Sequence, residues 1–270
     1  MTPIDPVALD EKARRKANLK QRLTVGFSLL ALAFCALWWG GLAFWLVVVI
    51  GALIMMSEWS AMFGASHRDK QIGQFSISIP LAIMAPIASG PSFFSLGLVV
   101  GAAFFVGAVT QKRALAGGIL YVGLPALSLL LLRSLPDGLF LSLWAMGLVW
   151  ACDTAAFFVG RSVGGPRFAP AISPNKTWSG FLGGLIAAAV LGGIMAQYGL
   201  SPWLAVMTPV LAVVSALGDL YESWLKRRAG IKDSGTLLPG HGGMLDRLDG
   251  IVPVAPLAAL MVILLGAAAA

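Results

Sequence analysis

Nine apolar stretches, separated by short polar segments, make up most of this chain of 270 residues. A helix of about 20 apolar residues crosses a bilayer core of roughly 30 Å, and several of the stretches approach that length. The pattern therefore predicts an all-α polytopic membrane protein. The nine predicted spans cover residues 24–39, 41–57, 76–90, 92–110, 117–133, 138–159, 178–197, 203–225 and 251–268.

The positions of the basic residues predict how these spans are oriented. Residues 1–23 form a basic arm, and the first span lacks an A-x-A cleavage site, so we expect an uncleaved helix with a cytoplasmic N-terminus. Alternation across the membrane then puts every basic loop in the cytoplasm, and of nineteen Lys and Arg only Arg133 falls outside. This asymmetry is typical of a multi-pass protein of the bacterial inner membrane.

Composition narrows the function classes. The net charge of +7 would suggest nucleic acid for a soluble protein, but the cytoplasmic loops account for it here, and no nucleic-acid partner is expected. Cys35 and Cys152 lie inside apolar stretches, which argues against a disulfide or zinc framework. We divide the chain into the arm at 1–23, N-terminal membrane helices at 24–110 and a C-terminal catalytic membrane region at 111–270.

One polar tract, residues 215–249, holds five of the twelve acidic and five of the nineteen basic residues. In a helix, Asp219, Glu222, Ser223 and Lys226 would share one face, because they are spaced at i, i+3, i+4 and i+7. Two further aspartates lie three residues apart at the end of the tract, after a P-G-H-G-G segment whose backbone N–H groups could approach a ligand. Such carboxylates suit a hard cation such as Mg²⁺ with phosphates, so the tract predicts a metal–phosphate site facing the cytoplasm.

A second polar segment, S-P-N-K-T-W-S-G at residues 173–180, precedes a helix predicted to begin near Trp178. It could bind phosphate through hydroxyls, lysine and helix N–H groups, or it could be an ordinary helix cap, and both stay open. Asp153, late in an apolar span, is a candidate for the same site, the alternative being a structural pair with Arg161. Glu58 has a weaker case, because solvent can satisfy it at the end of its span.

Two of these segments resemble a known family. The 27 residues S-W-L-K-R-R-A-G-I-K-D-S-G-T-L-L-P-G-H-G-G-M-L-D-R-L-D, at 223–249, resemble the signature of phosphatidate cytidylyltransferases, also called CDP-diacylglycerol synthases. Asp153, the G-R at 160–161 and the segment at 173–180 resemble that family's second conserved region. Ser179 is a departure, because the family commonly has Glu there.

The resemblance implies that CTP and phosphatidate react to give CDP-diacylglycerol and pyrophosphate, with Mg²⁺ as cofactor and a monovalent cation such as K⁺ left open. The expected partners are CTP, phosphatidate and the bilayer, and a homodimer is left open. Residues expected to act in catalysis are Asp219, Asp246, Lys226, Lys232 and Arg247. Expected metal ligands are Asp219, Asp246, Asp249 and Asp233. Expected substrate contacts are Ser173, Lys176, Thr177, Ser223, His241, Gly242, Gly243 and Asp153.

Other functions remain to be weighed against this one. A transporter would explain the spans and Asp153, but it would spread its charges through broken helices instead of one loop. A CDP-alcohol phosphatidyltransferase is excluded because its D-G-x-x-A-R…G…D-x-x-x-D pattern is absent. A CTP-dependent polyprenol kinase shares the nucleotide and metal needs, and it stays as the alternative.

Overall fold

The computed structural model describes residues 26, 28, 30–235 and 242–269, with side chains as far as residue 265. The basic arm predicted at 1–23 and the predicted substrate contact His241 lie outside the described residues. The helices that the structure describes are α1 (Leu30–Trp39), α2 (Gly41–Met62), α3 (His67–Ile83), α4 (Phe93–Thr110), α5 (Arg113–Ser134), α6 (Gly138–Val163), α7 (Trp178–Gln197), α8 (Pro202–Arg228), α9 (Leu245–Leu248) and α10 (Ile251–Ala269).

Every predicted span overlaps one of these helices, so the helical membrane architecture is confirmed. Within the described residues, six helices are long and apolar enough to cross a membrane, namely α2, α4, α5, α6, α7 and α8. α1 and the stretch Ile251–Leu265 of α10 are also apolar but shorter. The count of nine spans remains a prediction.

The third predicted span, at 76–90, differs most from the structure. α3 starts earlier, at His67, and already ends at Ile83. The hydroxyl of Ser66 caps this helix by accepting a hydrogen bond from the N–H of Asp69 at 3.1 Å. Hydropathy gives no signal for the polar first turns, H-R-D-K-Q, and the predicted boundaries were therefore wrong at both ends.

A small β-hairpin corrects the all-α prediction. Strand β1 (Arg167–Ala169) pairs antiparallel with β2 (Ser173–Thr177), where the sequence predicted only a loop before a helix. Phe168 fixes the hairpin to the start of α7, because its ring lies 4.5 Å from that of Trp178 and 5.0 Å from that of Phe181. The predicted start of the helix near Trp178 is confirmed.

Four segments at or beside the connections between helices are basic, and they contain Lys70, Lys112, Lys176 and Lys232. They lie at one end of the helix bundle. Lys112 forms an ion pair with Asp69 at 2.8 Å, which joins the start of α5 to the start of α3. Lys176 on β2 pairs with Asp219 on α8, and the indole N–H of Trp59 donates to the carbonyl of Ala114 at 2.8 Å. The side of the bundle on which these segments meet is therefore a single polar surface, which we call the polar end.

Arg133, the one basic residue predicted on the other side of the membrane, lies at the opposite end of the bundle. Its guanidinium donates to the carbonyls of Leu37 at 2.8 Å and Trp38 at 3.2 Å. These carbonyls are in the last turn of α1, where they lack helical partners and where a cation is favoured. Arg133 thus ties the end of α5 to the end of α1.

Candidate active site

One face of α8 carries the polar residues that the sequence placed together. The hydroxyl of Ser223 donates to the carboxylate of Asp219 at 3.3 Å, and Lys226 contacts Glu222 at 3.2 Å. Both pairs are spaced at i,i+4, so the predicted helical face is confirmed. Gly218 lets α10 approach this face, because a Cβ there would lie 2.5 Å from Pro253 and 2.6 Å from the carbonyl oxygen of Asp249.

Asp246, at the start of α9, holds the signature loop to α8. One carboxylate oxygen of Asp246 accepts a hydrogen bond from the ammonium group of Lys226 at 2.5 Å. The other oxygen accepts three: from the N–H of Ser234 at 2.8 Å, from the hydroxyl of Ser234 at 2.9 Å and from the N–H of Gly243 at 2.8 Å. Burial raises the pKa of Asp246, but the donors Lys226, Gly243 and Ser234 outweigh it and hold the pKa below its ordinary value. The carboxylate is therefore a charged anchor for both ends of the loop.

Gly242 adopts the left-handed backbone conformation that favours glycine. Its φ is 78°, and a Cβ there would lie 2.8 Å from a carboxylate oxygen of Asp246. A larger residue at this position would be strained and would push Asp246 aside.

Glu58 is the site residue that the sequence interpretation undervalued. It lies on α2, it is buried, and its two oxygens accept from the N–H groups of Met244 and Leu245, each at 2.9 Å. The hydroxyl of Ser234 lies 3.2 Å from the second oxygen. Solvent does not satisfy this carboxylate, contrary to expectation. The signal that the sequence offered was an acidic residue, in M-S-E-W, directly after the apolar stretch 41–57.

Four acidic residues, Asp153, Asp219, Glu222 and Asp249, lie within electrostatic range of one another, and among the described residues Lys176 and Lys226 pair with two of them. Burial and the charges of Asp219, Glu222 and Asp153 raise the pKa of Asp249 to about 8. One carboxylate oxygen of Glu222 is buried and has no hydrogen-bond partner among the described residues. A bound cation would stabilise such carboxyl groups in their ionised form and could satisfy this oxygen, and oxygen ligands of this kind fit Mg²⁺. As the described side chains are placed, no group of three or more His, Cys, Asp or Glu could hold a metal ion without rearrangement.

The hairpin contributes one residue to this cluster and one to the fold. Lys176 pairs with Asp219, so the two polar segments of the sequence do meet. Thr177 instead caps α7, because its hydroxyl accepts from the N–H of Gly180 at 3.1 Å. Ser179 bonds the hydroxyl of Thr177 at 3.0 Å and the carbonyl of Gly164. The helix-cap interpretation is therefore confirmed for Thr177, whereas Lys176 belongs to the charged cluster.

The other predicted site residues are placed as follows. Asp153 on α6 lies within electrostatic range of Asp219 and Lys176, and within the described residues it forms no ion pair with Arg161. Lys232 and Asp233 are exposed on the loop that follows α8, and Ser173 is half-buried on β2. Gly243 is buried against Glu58 and Ser234, so that a Cβ would lie 2.6 Å from a Glu58 oxygen. Arg247 is exposed on α9.

Two apolar cavities reach the first turn of α10. The first, of about 540 Å³, is an open groove between α5, α8 and α10 that includes Gly218 and Tyr221. The second, of about 440 Å³, lies between α1, α2, α5, α6 and α10, and Arg247 is among its lining residues. Pro125 and Val252 line both. The charged cluster is thus next to space that apolar chains could fill.

Sequence comparisons with known proteins identify relatives of this chain. The model of the cytidylyltransferase family matches residues 20–265. A phosphatidate cytidylyltransferase of Brucella suis is 39% identical over 251 residues, which cover 89% of this chain and 92% of the relative. One from Rickettsia bellii is 29% identical over 256 residues, covering 91% of both chains. One from Staphylococcus haemolyticus is 43% identical over 149 residues, which are 54% of this chain and 56% of the relative.

Proposed function

Because the chain belongs to the cytidylyltransferase family, we propose that it transfers the cytidylyl group of CTP to phosphatidate. A phosphate oxygen of phosphatidate would form a bond to the α-phosphorus of CTP. The bond from that phosphorus to the bridging oxygen of the β-phosphate would break, so that pyrophosphate leaves and CDP-diacylglycerol remains. The observation that carries this proposal is a cluster of carboxylates and lysines, with Glu222 and Lys226 buried at its centre, next to two apolar cavities.

The residues present suit a phosphoryl-type transfer that needs no general base. A phosphatidate oxygen is already ionised near neutral pH, so the reaction needs charge neutralisation and in-line positioning. Lys176 forms an ion pair with Asp219, and Lys226 forms one with Asp246. From these positions their ammonium groups can donate hydrogen bonds to phosphate oxygens and neutralise their charge. Lys232 and Arg247 are exposed at the same end, where they would attract the nucleotide and the lipid headgroup.

We further propose Mg²⁺ as the cofactor, with Asp219 and Asp249 as its nearest ligands and Glu222 beside them. When bound, the cation would neutralise the charge that develops on the phosphates. Asp246 and Asp233 are the remaining predicted ligands. Both oxygens of Asp246 already accept hydrogen bonds, so a cation there would have to replace one of four donors. At Asp219 a cation would likewise have to replace Ser223 or Lys176, which contact its two oxygens.

The two cavities suit the acyl chains of the lipid. Each is apolar and lies beside the turn from α9 to α10, so the phosphate of a diacyl lipid could lie at Arg247 and the charged cluster while its chains enter the bundle. The polar end would face the cytoplasm, where CTP is found. Nine spans with a cytoplasmic N-terminus in a bacterial inner membrane give this orientation.

Labelled CTP tests the proposed reaction against its alternatives. Purified protein is incubated with phosphatidate, Mg²⁺ and CTP labelled at either the α- or the γ-phosphate, and the lipid fraction is counted. We expect label in lipid from the α-phosphate only, with one pyrophosphate released for each lipid labelled. Label from the γ-phosphate would identify a lipid kinase, and no label in lipid from either position would favour a transporter.

A further inference from the structure

We propose that Glu58 is a positioning residue for the transfer site, which holds α9 so that Asp246 and Arg247 take up their working positions. This inference rests on the proposed function, because the working positions are those of cytidylyl transfer. Glu58 itself is buried on α2, more than a hundred residues away in sequence from the signature, and we assign it no contact with substrate.

The contacts of Glu58 account for how so short a helix as α9 is held. α9 has four residues, Leu245–Leu248, too few for a helix to be stable by itself. Glu58 accepts hydrogen bonds from the N–H groups of Met244 and Leu245, which are the N-cap and the first residue of α9. Such N–H groups have no partner within a helix. Asp246 and Arg247 follow directly, so these two bonds fix the start of the turn that carries them, while Lys226, Ser234 and Gly243 hold the Asp246 carboxylate itself.

The space around Glu58 is matched to its carboxylate. A Cβ on Gly235 or Gly243 would lie 2.6 Å from a Glu58 oxygen, which means that the chain closes on the acid from two sides. Both oxygens face N–H donors, so an amide in place of the carboxylate would set an NH₂ group against an N–H group. Glu58→Gln keeps the shape of the side chain almost unchanged. It nevertheless removes one of the two hydrogen bonds from the backbone N–H groups of Met244 and Leu245.

Ser234 connects Glu58 to Asp246. Its hydroxyl lies 2.9 Å from Asp246 and 3.2 Å from Glu58, and it has a single proton, so it can donate to only one of them at a time. Loss of either carboxylate would let the hydroxyl bond the other permanently. Glu58 and Ser234 therefore both influence Asp246, and the effects of their substitutions on kcat should not be additive.

The experiment compares Glu58→Gln with Ser60→Ala in the full-length protein in detergent. Ser60 is a matched control, because it is buried on the same helix and, among the described residues, its hydroxyl bonds only the carbonyl of Met56, at 2.7 Å. The first readout is hydrogen–deuterium exchange of the peptide that contains Met244 and Leu245. The second is the pair of kinetic constants for CTP, KM and kcat, with kcat calculated per mole of folded protein. The variants Ser234→Ala and Glu58→Gln/Ser234→Ala complete a double-mutant cycle.

We expect faster exchange at Met244 and Leu245 and a kcat lower by about tenfold or more in Glu58→Gln, with Ser60→Ala like the wild type in both. The double variant should lose less than the product of the two single losses. Unchanged exchange, or a kcat within about twofold of the wild type, would overturn the inference.

The design separates this inference from the proposed function. If the wild type transfers no α-label to lipid, both fall, and this is seen before any variant is made. If the wild type is active and Glu58→Gln matches it, only the inference falls. Should Glu58→Gln fail to fold, Ser234→Ala, which removes only a hydroxyl, still tests the link: normal exchange and normal kcat there would count against it.

Discussion

Asp249 shows most directly the effect of gathering several acidic side chains at one place. It lies in the turn between α9 and α10, where burial and the charges of Asp219, Glu222 and Asp153 raise its pKa to about 8. The unfolded chain would ionise it near the ordinary value of about 3.9. Between these values the unfolded chain binds fewer protons than the folded protein, so stability is greatest at low pH and is lost as the pH rises towards 8.

This gives a prediction for the protein in the presence of a chelator. The thermal unfolding temperature should fall as the pH is raised from about 6 to about 8, and Asp249→Asn should flatten that dependence, because the amide does not ionise. Asp137→Asn, at an exposed position beyond the opposite end of α5, is the control and should leave the slope unchanged. Equal slopes in the wild type and Asp249→Asn would show that Asp249 is not held protonated by its neighbours.

At the scale of elements, the packing of α7 decides where the hairpin and its lysine lie. α7 packs along α6 on one side and α8 on the other. A Cβ on Gly184 would lie 2.8 Å from the sulfur and 3.0 Å from the carbonyl oxygen of Cys152, whereas one on Gly193 would meet nothing within 4 Å. The two glycines are on the same helix and differ mainly in this contact, so they form a matched pair.

Alanine substitutions at this pair should change stability in opposite directions. Gly193→Ala should stabilise α7 by up to about 1 kcal/mol, the usual difference in helix propensity. Gly184→Ala should destabilise the protein by about 1–3 kcal/mol, because the new methyl group must separate α6 from α7. Thermal unfolding in detergent measures both. If both variants are stabilised, the close approach of α6 to α7 at Gly184 is not real.

The elements also show which parts of the site a sequence can reveal. The face of α8 was predictable because the spacing of Asp219, Ser223 and Lys226 within one helix fixes their relative positions. The contacts of Glu58 could not be predicted, because its partners Met244 and Leu245 are 186 and 187 residues away in sequence and no local pattern indicates such a contact. The hairpin was missed for a related reason: its strands are too short for alternation to be visible, and its position depends on Phe168 packing against α7.

For the whole molecule, the two ends of the bundle differ in charge. The basic segments meet at the polar end, and Arg133 is bound to the end of α1 at the other. The positive-inside rule then predicts that a reporter inserted in the loop at 226–245 is cytoplasmic and that one fused after residue 270 is not. Both reporters on the same side would contradict the nine-span topology.

The central claim is that the carboxylate cluster works as a cation site and is not merely a partner for the lysines. The most direct test measures pyrophosphate release against Mg²⁺ concentration for the wild type, Asp219→Asn, Asp249→Asn and the control Arg228→Gln, whose guanidinium lies exposed 5.4 Å from the ring of Trp224. Each Asn variant removes charge with little change of shape. We expect each to lose about a hundredfold or more in turnover and to need more Mg²⁺, while Arg228→Gln stays near the wild type. Near-normal turnover and Mg²⁺ dependence in both Asn variants would contradict the account.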